Sequence, residues 1–471
     1  MRNHVKVLKP RSIGISSTRM GPYYTVASVE LGNTTTKCIL STTNLRTAEI
    51  FQIAKEVRFT RDVRPPTSEE QVFGETLVGV RLTRASVSEM IAATLTSVLE
   101  SVGMDLERDL HFVVRSTGVT AGFSSPNEVG EMVQALAEGC LKAGVPPRKM
   151  TASLSPDTLP PGLQDYTWLK RVYFDGAVAS SLPPADASVV ANEMEGELVT
   201  AGIKGAVKGT DIDFRNPVMT LDFGTTLAGR VTDESHPYAK TIGSFAGLAG
   251  AISDAIVRGS GSVRVENGTA LDLPKFSAAK DTAIDTGLVD AVHRLIRVET
   301  IEKGTNRFGT VPVDPQAAEE SGVVLMGIDA GKNGSNLPAL EKIGRKIYQG
   351  YQLDGLFRTL DLVQARLVCR LVSLAEQHNL ILDNTSLGLT GRSITTGLKP
   401  DIITSTLIKK DESLWVDKHQ LVFVEDGLAM GAAVAARCMN SMGTHEFPMG
   451  GRKGDRCIMG ARMKLQRKDK S

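Results

Sequence analysis

Two short stretches decide the fold: Val26-Ala-Ser-Val-Glu30-Leu-Gly32-Asn33-Thr34-Thr35-Thr-Lys37 and Val218-Met-Thr-Leu-Asp222-Phe-Gly224-Thr225-Thr226-Leu-Ala-Gly229. In each, an apolar strand ends in an acid, a glycine–threonine turn follows, and a second strand begins. Glycine lets a backbone come close to a ligand, so the N–H groups and hydroxyls of such a turn can wrap a phosphate. The acid before the turn can hold a metal or orient a water. One copy means little, because strand-turn-strand units with glycine are common. Two copies about 190 residues apart have domain-sized spacing. Facing each other across a cleft, they would grip a nucleotide from both sides.

The chain of 471 residues has room for two large domains or about three smaller ones. Its hydrophobic content of 41% is ordinary for a protein with a sizeable core. A net charge of +1 supplies no global field for nucleic acid or an acidic membrane. Basic residues gather at the ends: Arg2, Lys6, Lys9, Arg11 and Arg19, then eight Lys/Arg against two Asp over 451–471. Residues 1–22 and 441–471 are therefore expected to be disordered solvated ends. No apolar run approaches the roughly 18 residues of a membrane span, so a cytoplasmic protein without a membrane partner is expected. The cysteines Cys38, Cys140, Cys369, Cys438 and Cys457 include no CxxC pair, which argues against a disulfide framework, a zinc ribbon or a self-held iron–sulfur cluster. The histidines form no HxxxH pair.

Residues 23–215 read as a first domain. Short alternating runs over 24–82 predict adjacent strands. Val87, Ile91, Leu95, Val98 and Val102 share one helical stripe that Gly103 ends. A buried strand is predicted over Leu110–Arg115 and a second amphipathic helix over Asn127–Ala143. Proline-rich residues 145–215 read as a connecting region with no assigned role. Residues 216–440 read as a second domain, with helices around 247–258 and 284–300 and a long one over 338–379. Gly243, Gly247 and Gly250 are expected to open the first of these, either presenting its N-terminus to an anion or permitting close packing. A strand over Ser386–Thr390 leads into Gly391-Arg392-Ser393. The last element is a strand ending in the acidic turn Glu425-Asp426-Gly427, then a helix of alanine and glycine through Ala436.

These landmarks, in this order from residue 24 to about 440, resemble the actin, sugar kinase and Hsp70 superfamily of ATPases. The first turn matches that superfamily's phosphate motif at Gly32, Thr34, Thr35 and Lys37, with Glu30 in place of the usual Asp. The second, Asp222-Phe-Gly224-Thr225-Thr226, matches without departure. Leu387-Gly-Leu-Thr-Gly391-Arg392 carries the first of the two glycines of the adenosine motif. The opening of the chain also resembles ATPase subunits that reactivate diol dehydratases. The stretch Gly205–Gly259 resembles the ATPase domain of corrinoid-protein reductive activators, without their cysteine-rich ferredoxin domain. Over its whole length the chain is similar to the methanogenesis marker protein 14 family.

The resemblance implies an α/β fold of two actin-like (ribonuclease H-like) domains flanking a nucleotide cleft, with ATP and Mg2+ as ligands. It implies phosphate contacts from Gly32, Asn33, Thr34, Thr35 and Lys37 on one side and Gly224, Thr225 and Thr226 on the other. Asp222 and Glu30 would serve catalysis and the metal, and Gly391 and Arg392 would meet the adenosine. Ser116 and Thr117, before Gly118, would lie near the γ-phosphate. The longer Glu30 bears on hydrolysis, since one methylene moves the carboxylate by about 1.5 Å. The expected function is an ATP-binding, ATP-hydrolysing activator or reactivator of a protein client, such as a corrinoid or methyl-coenzyme M reductase system, with homodimerisation allowed. The alternatives are a small-molecule kinase of the same fold and an assembly factor that senses nucleotide without hydrolysis.

Overall fold

The computed structural model describes residues 6–117, 126–150, 177–178, 193–234, 241–274, 278–320 and 322–442. Its first sheet is built from β1 (Tyr23–Leu31), β2 (Thr35–Asn44), β3 (Ile50–Phe59), β4 (Phe112–Thr117) and β5 (Ala177–Val178). They lie in the order β3-β2-β1-β4-β5. The first three are antiparallel neighbours, and β4 runs parallel to β1. The second domain repeats this plan with β6 (Val218–Phe223), β7 (Leu227–Thr232), β8 (Thr241–Gly247), β9 (Ser386–Thr390) and β10 (Leu421–Val424). Their order is β8-β7-β6-β9-β10, again with three antiparallel strands followed by two parallel ones. Two copies of this ribonuclease H-like sheet make the chain a pair of actin-like domains. The sequence shows no repeat beyond the two turns. The repeat lies in topology, which different apolar side chains satisfy equally well.

Local sequence explains the main elements. The helix Arg84–Ser101 opens with reciprocal bonds between Thr83 and Ser86, at 3.1 and 3.2 Å, which satisfy N–H groups left free at a helix start. Its stripe of Val87, Ile91, Leu95 and Val98 packs on Val29, Leu31 and Leu40 of the first sheet. Every residue of β6 is buried, as its unbroken apolar run requires of a strand covered on both faces. The helix Leu337–Gln377 covers the far side of the second sheet with Leu356, Leu360, Val363 and Leu367.

Four elements differ from the expectation, one of them the helix Glu193–Ala206 inside residues 145–215, which read as a connecting region. Residues 1–22, expected as a disordered head, contain two short strands: Val7–Leu8 pairs with β10 of the second sheet and Arg11–Ser12 with β3 of the first. The helix expected over 284–300 is Thr286–Arg294, followed by the strand Arg297–Thr300, where Val298 pairs with Ile328. Gly243 and Gly247 lie in β8 rather than opening the helix, which begins at Gly250. Of the tail expected over 441–471, residues 441–442 end the helix Gly427–Met442, and the rest lies outside the described residues.

Between the two sheets sit helices α1 (Glu193–Ala206) and α3 (Gly427–Met442). They share a core in which Val199, Ile203, Ala432 and Ala433 meet Val26 and Val114 of one sheet and Val218 and Val424 of the other. The helices cross at backbone contact. A Cβ at Gly202 would fall 1.8 Å from the Gly427 carbonyl oxygen, and one at Gly431 would fall 1.8 Å from that of Leu198.

Gly202→Ala is therefore expected to cost about 2 kcal/mol or more, because both neighbours at the crossing are backbone. Gly350→Ala, at a helical site where the added methyl would meet nothing within 4 Å, should be neutral or slightly stabilising. Urea midpoints of the two variants measure the contrast.

Candidate functional site

The second strand of each hairpin folds back on the first, so each Gly-Thr turn projects from the end of its sheet toward the other domain. In the first, Gly32 N–H donates to the Thr35 carbonyl at 3.0 Å, and the Thr60 hydroxyl donates to the Gly32 carbonyl at 2.7 Å. In the second, the Gly224 and Thr225 carbonyls accept from Gly250 and Ala251 at 2.8 and 3.0 Å. Those bonds occupy the first N–H groups of α2 (Gly250–Ser260), so this helix start serves close packing rather than an anion. The turns meet across the cleft, where the hydroxyls of Thr34 and Thr225 are 2.7 Å apart.

Twelve of the residues that the sequence assigned to the site line this one cleft, and Ser116 and Thr117 do not: Glu30, Gly32, Asn33, Thr34, Thr35 and Lys37 come from the first domain, and Asp222, Gly224, Thr225, Thr226, Gly391 and Arg392 from the second. Asn33 also holds the fold, its Oδ1 accepting from the Leu77 N–H at 3.0 Å. Gly391 has φ 93°, and a Cβ there would lie 2.4 Å from Asp222 Oδ1. Only glycine lets this loop pass under that carboxylate. Ser116 pairs with Glu30 in the sheet register, and Gly118 lies outside the described residues.

The hairpins differ in charge. Lys37 stands opposite Glu30, and its Nζ lies 3.3 and 3.4 Å from the two carboxylate oxygens. Ala228 stands opposite Asp222, so the second acid faces no cation across its ladder. Burial alone would lower the Lys37 pKa, but Glu30, Asp426 and Asp222 outweigh it and raise it. Burial pushes the Asp222 carboxyl up to about 7, with Lys37 opposing and Glu30 and Asp426 reinforcing the rise.

Sequence reasoning missed several lining residues. Glu195, at the start of α1, has a buried Oε2 without a hydrogen-bond partner among the described residues. Burial, then Asp222 and Glu30, push its carboxyl well above the usual range. It sits in the stretch read as a connector, where proline obscured the helix. Asp426, in the acidic turn before α3, pairs with Lys55 of the first domain. Its φ of 56° was not legible, although Glu425-Asp426-Gly427 was conspicuous. Asp254 of α2 accepts from Ala270 N–H at 2.8 Å, and burial raises it to about 6. At the far end, Lys399 pairs with Asp361 at 2.8 Å beside Phe357 and Leu360. At the rim, Arg61 of the first domain grips Asp272 and the Asn267 carbonyl of the second, its guanidinium 3.9 Å above the Phe59 ring.

The cleft thus joins acids under mutual repulsion, the paired lysines Lys37 and Lys399, and two turns rich in backbone donors. Among the described residues no group of three or more acids, histidines or cysteines is arranged to hold a metal ion. No helix among them is long and apolar enough to cross a membrane.

A family of proteins described as "Uncharacterized protein conserved in archaea (DUF2114)" matches residues 23–466. The chain belongs to this archaeal family. It is 51% identical over 461 residues to an uncharacterized protein of Methanocaldococcus jannaschii, covering 98% of this chain and 94% of that one. A Methanothermobacter thermautotrophicus protein is 52% identical over 453 residues, covering 96% and 84%. Among solved structures, a reductive activator for a corrinoid, iron–sulfur protein aligns with TM-score 0.33 and 11% identity over 88% of this chain. The chain spans 60% of that activator's length. A hexokinase aligns with TM-score 0.36 and 12% identity, covering 92% of this chain and 88% of the enzyme.

The Asp222 carboxyl holds its proton more tightly in the fold, at about 7, than in the unfolded chain, at about 4. Its stability contribution is complete below the lower value and lost as pH rises through the upper one. Asp222→Asn cannot ionise, so it should gain on the natural protein by on the order of 1–3 kcal/mol between about pH 5 and pH 8. Melting curves of both proteins across that range check this, and a constant gap would count against a raised carboxyl.

Proposed function

We propose that this cleft binds ATP with magnesium and hydrolyses it slowly, as an activator acting on a protein client. The observation that carries the reading is the 2.7 Å contact between Thr34 and Thr225. It sets the two turns face to face at the distance where one phosphate chain can touch both. In this reading Thr34, Thr35, Gly224, Thr225 and Thr226 wrap the β- and γ-phosphates with N–H and hydroxyl donors, and Gly32, whose N–H is held by the Thr35 carbonyl, lets the turn come close. Lys37 is the fixed positive charge for the phosphate oxygens, and Glu30 holds it in place. Arg392 and Gly391 line the nucleoside side, with Phe357 and Leu360 as apolar wall.

Magnesium suits the donor set. This ion keeps several waters and takes one or two carboxylates plus phosphate oxygens, so a cage of three protein ligands is not required. Asp222 and Glu195 are the acids suited to that role, since Glu30 is engaged with Lys37. Bound there, the ion would neutralise phosphate charge. A carboxylate poised near neutral pH can accept the proton of an attacking water; burial raises Asp222 to about 7, and it raises Glu195 well above the usual carboxylate range. The similarity of the sequence to corrinoid activators, diol dehydratase reactivases and the methanogenesis marker protein 14 family supports a client in methanogenic metabolism. The buried Oε2 of Glu195 also favours a second reading, a small-molecule kinase, in which it would take the proton of an acceptor hydroxyl.

Millimolar Mg-ATP should raise the melting temperature, since ligand at 100 times Kd stabilises a fold by about 2.7 kcal/mol. The absence of any shift would remove the nucleotide reading. Glu195→Gln and Asp222→Asn should each lower phosphate release by about 100-fold while ATP still binds, the usual scale for losing a general base. Unchanged release would remove that residue from the chemistry. A phosphorylated small product formed rapidly without any protein client would favour the kinase, and binding without turnover would favour a nucleotide-sensing assembly factor.

A further inference from the structure

The N-terminal segment crosses from one domain to the other within a few residues. Val7 and Leu8 extend the second sheet beside Phe423 and Val424 of β10, and Glu425 N–H donates to the Leu8 carbonyl at 2.8 Å. Arg11 and Ser12 extend the first sheet beside Phe51 and Gln52 of β3, and Ile13 N–H donates to the Gln52 carbonyl at 3.0 Å. Only Lys9 and Pro10 lie between the two pairings. Proline fixes one of the few torsions that could lengthen or shorten this link. Side chains reinforce both ends. Lys9 lies 3.6 Å from Glu425, and Arg11 pairs with Glu49 while its guanidinium sits 4.8 Å above the Phe51 ring.

We propose that residues 7–13 are a strap that limits how far the two domains can part. The helices α1 and α3 already join the domains, but they do so at one crossing, around which the sheets could rotate. The strap adds a second attachment through strand pairing, with Leu8 packed on the core that the helices share, and its two-residue span leaves no slack. It anchors on β10, next to Asp426, whose carboxylate lines the cleft and pairs with Lys55 of β3. One end of the strap therefore sits on the strand that leads into Asp426, and the other on the strand that carries Lys55. Opening the cleft wider than the strap allows must break strand pairing at one end. The consequence for ligand exchange rests on the nucleotide reading given above, whereas the mechanical constraint does not.

The test inserts Gly-Ser-Gly-Ser between Lys9 and Pro10 of the full chain, which leaves both pairings able to form but lengthens the link from two residues to six. Effective concentration falls as the −3/2 power of tether length, so the open state should gain about fivefold. A control chain carries the same insertion in the exposed turn at Lys410–Asp411. Small-angle scattering without nucleotide should show a larger radius of gyration for the strap insertion than for the control, and release of a fluorescent ATP analogue with magnesium should quicken about fivefold. Should the strap insertion fail to fold, Lys9→Ala/Arg11→Ala, which loosens both anchors and leaves the backbone intact, replaces it in both measurements. Scattering and release that match the control overturn the strap. Expanded scattering with no analogue bound by any of the proteins supports the strap and overturns the nucleotide reading instead.

Discussion

The crossing of two helices at backbone contact is the constraint from which the rest of this structure follows. Gly202 and Gly431 bring α1 and α3 together so closely that no side chain fits between them. The helices fill the space between the sheets, α3 against the first and α1 against the second. Each helix begins at the cleft, α1 next to Glu195 and α3 next to Asp426. A separation of the helix axes would move both acids relative to the turns. The positions of Glu195 and Asp426 thus depend on glycines that never touch a ligand.

Electrostatics in the cleft point the same way. Glu30, Glu195, Asp222 and Asp426 share a confined space in which Lys37 and Lys55 are the paired cations. Burying so many acids is unfavourable unless protons or cations accompany them. The raised carboxyls of Asp222 and Glu195 are that strain expressed as proton affinity. A fold selected for stability alone would place apolar side chains there. Sites where local rules are broken in this manner are commonly functional, and this one coincides with the turns that face each other.

Much of this was legible in the sequence, and the reasons are physical. The Gly-Thr turns were readable because glycine and hydroxyl residues at a strand end have few structural equivalents. The apolar stripes of Arg84–Ser101 and Leu337–Gln377 were readable because helical period survives any tertiary context. The doubled strand order was not, since many side chains fill the same sheet. Glu195 escaped notice because nothing in the sequence sets it apart from Glu193 and Glu197 beside it, and its meaning comes from Asp222 and Glu30 brought near by folding. The pairing of Val7–Leu8 and Arg11–Ser12 escaped for a related reason: two-residue strands are too short for alternation to register.

The two hairpins share a plan but not a charge, and this breaks the symmetry of the cleft. Lys37 faces Glu30 across one ladder, whereas Ala228 faces Asp222 across the other. The first turn therefore presents a neutralised acid with a cation at its side, and the second presents an acid with no such neighbour in its hairpin. An elongated anion lying between them meets different fields at its two ends. It has one preferred direction, although the scaffold that holds it is nearly the same on both sides. A sheet plan present twice encloses the cleft, and a lysine present in only one hairpin gives it polarity.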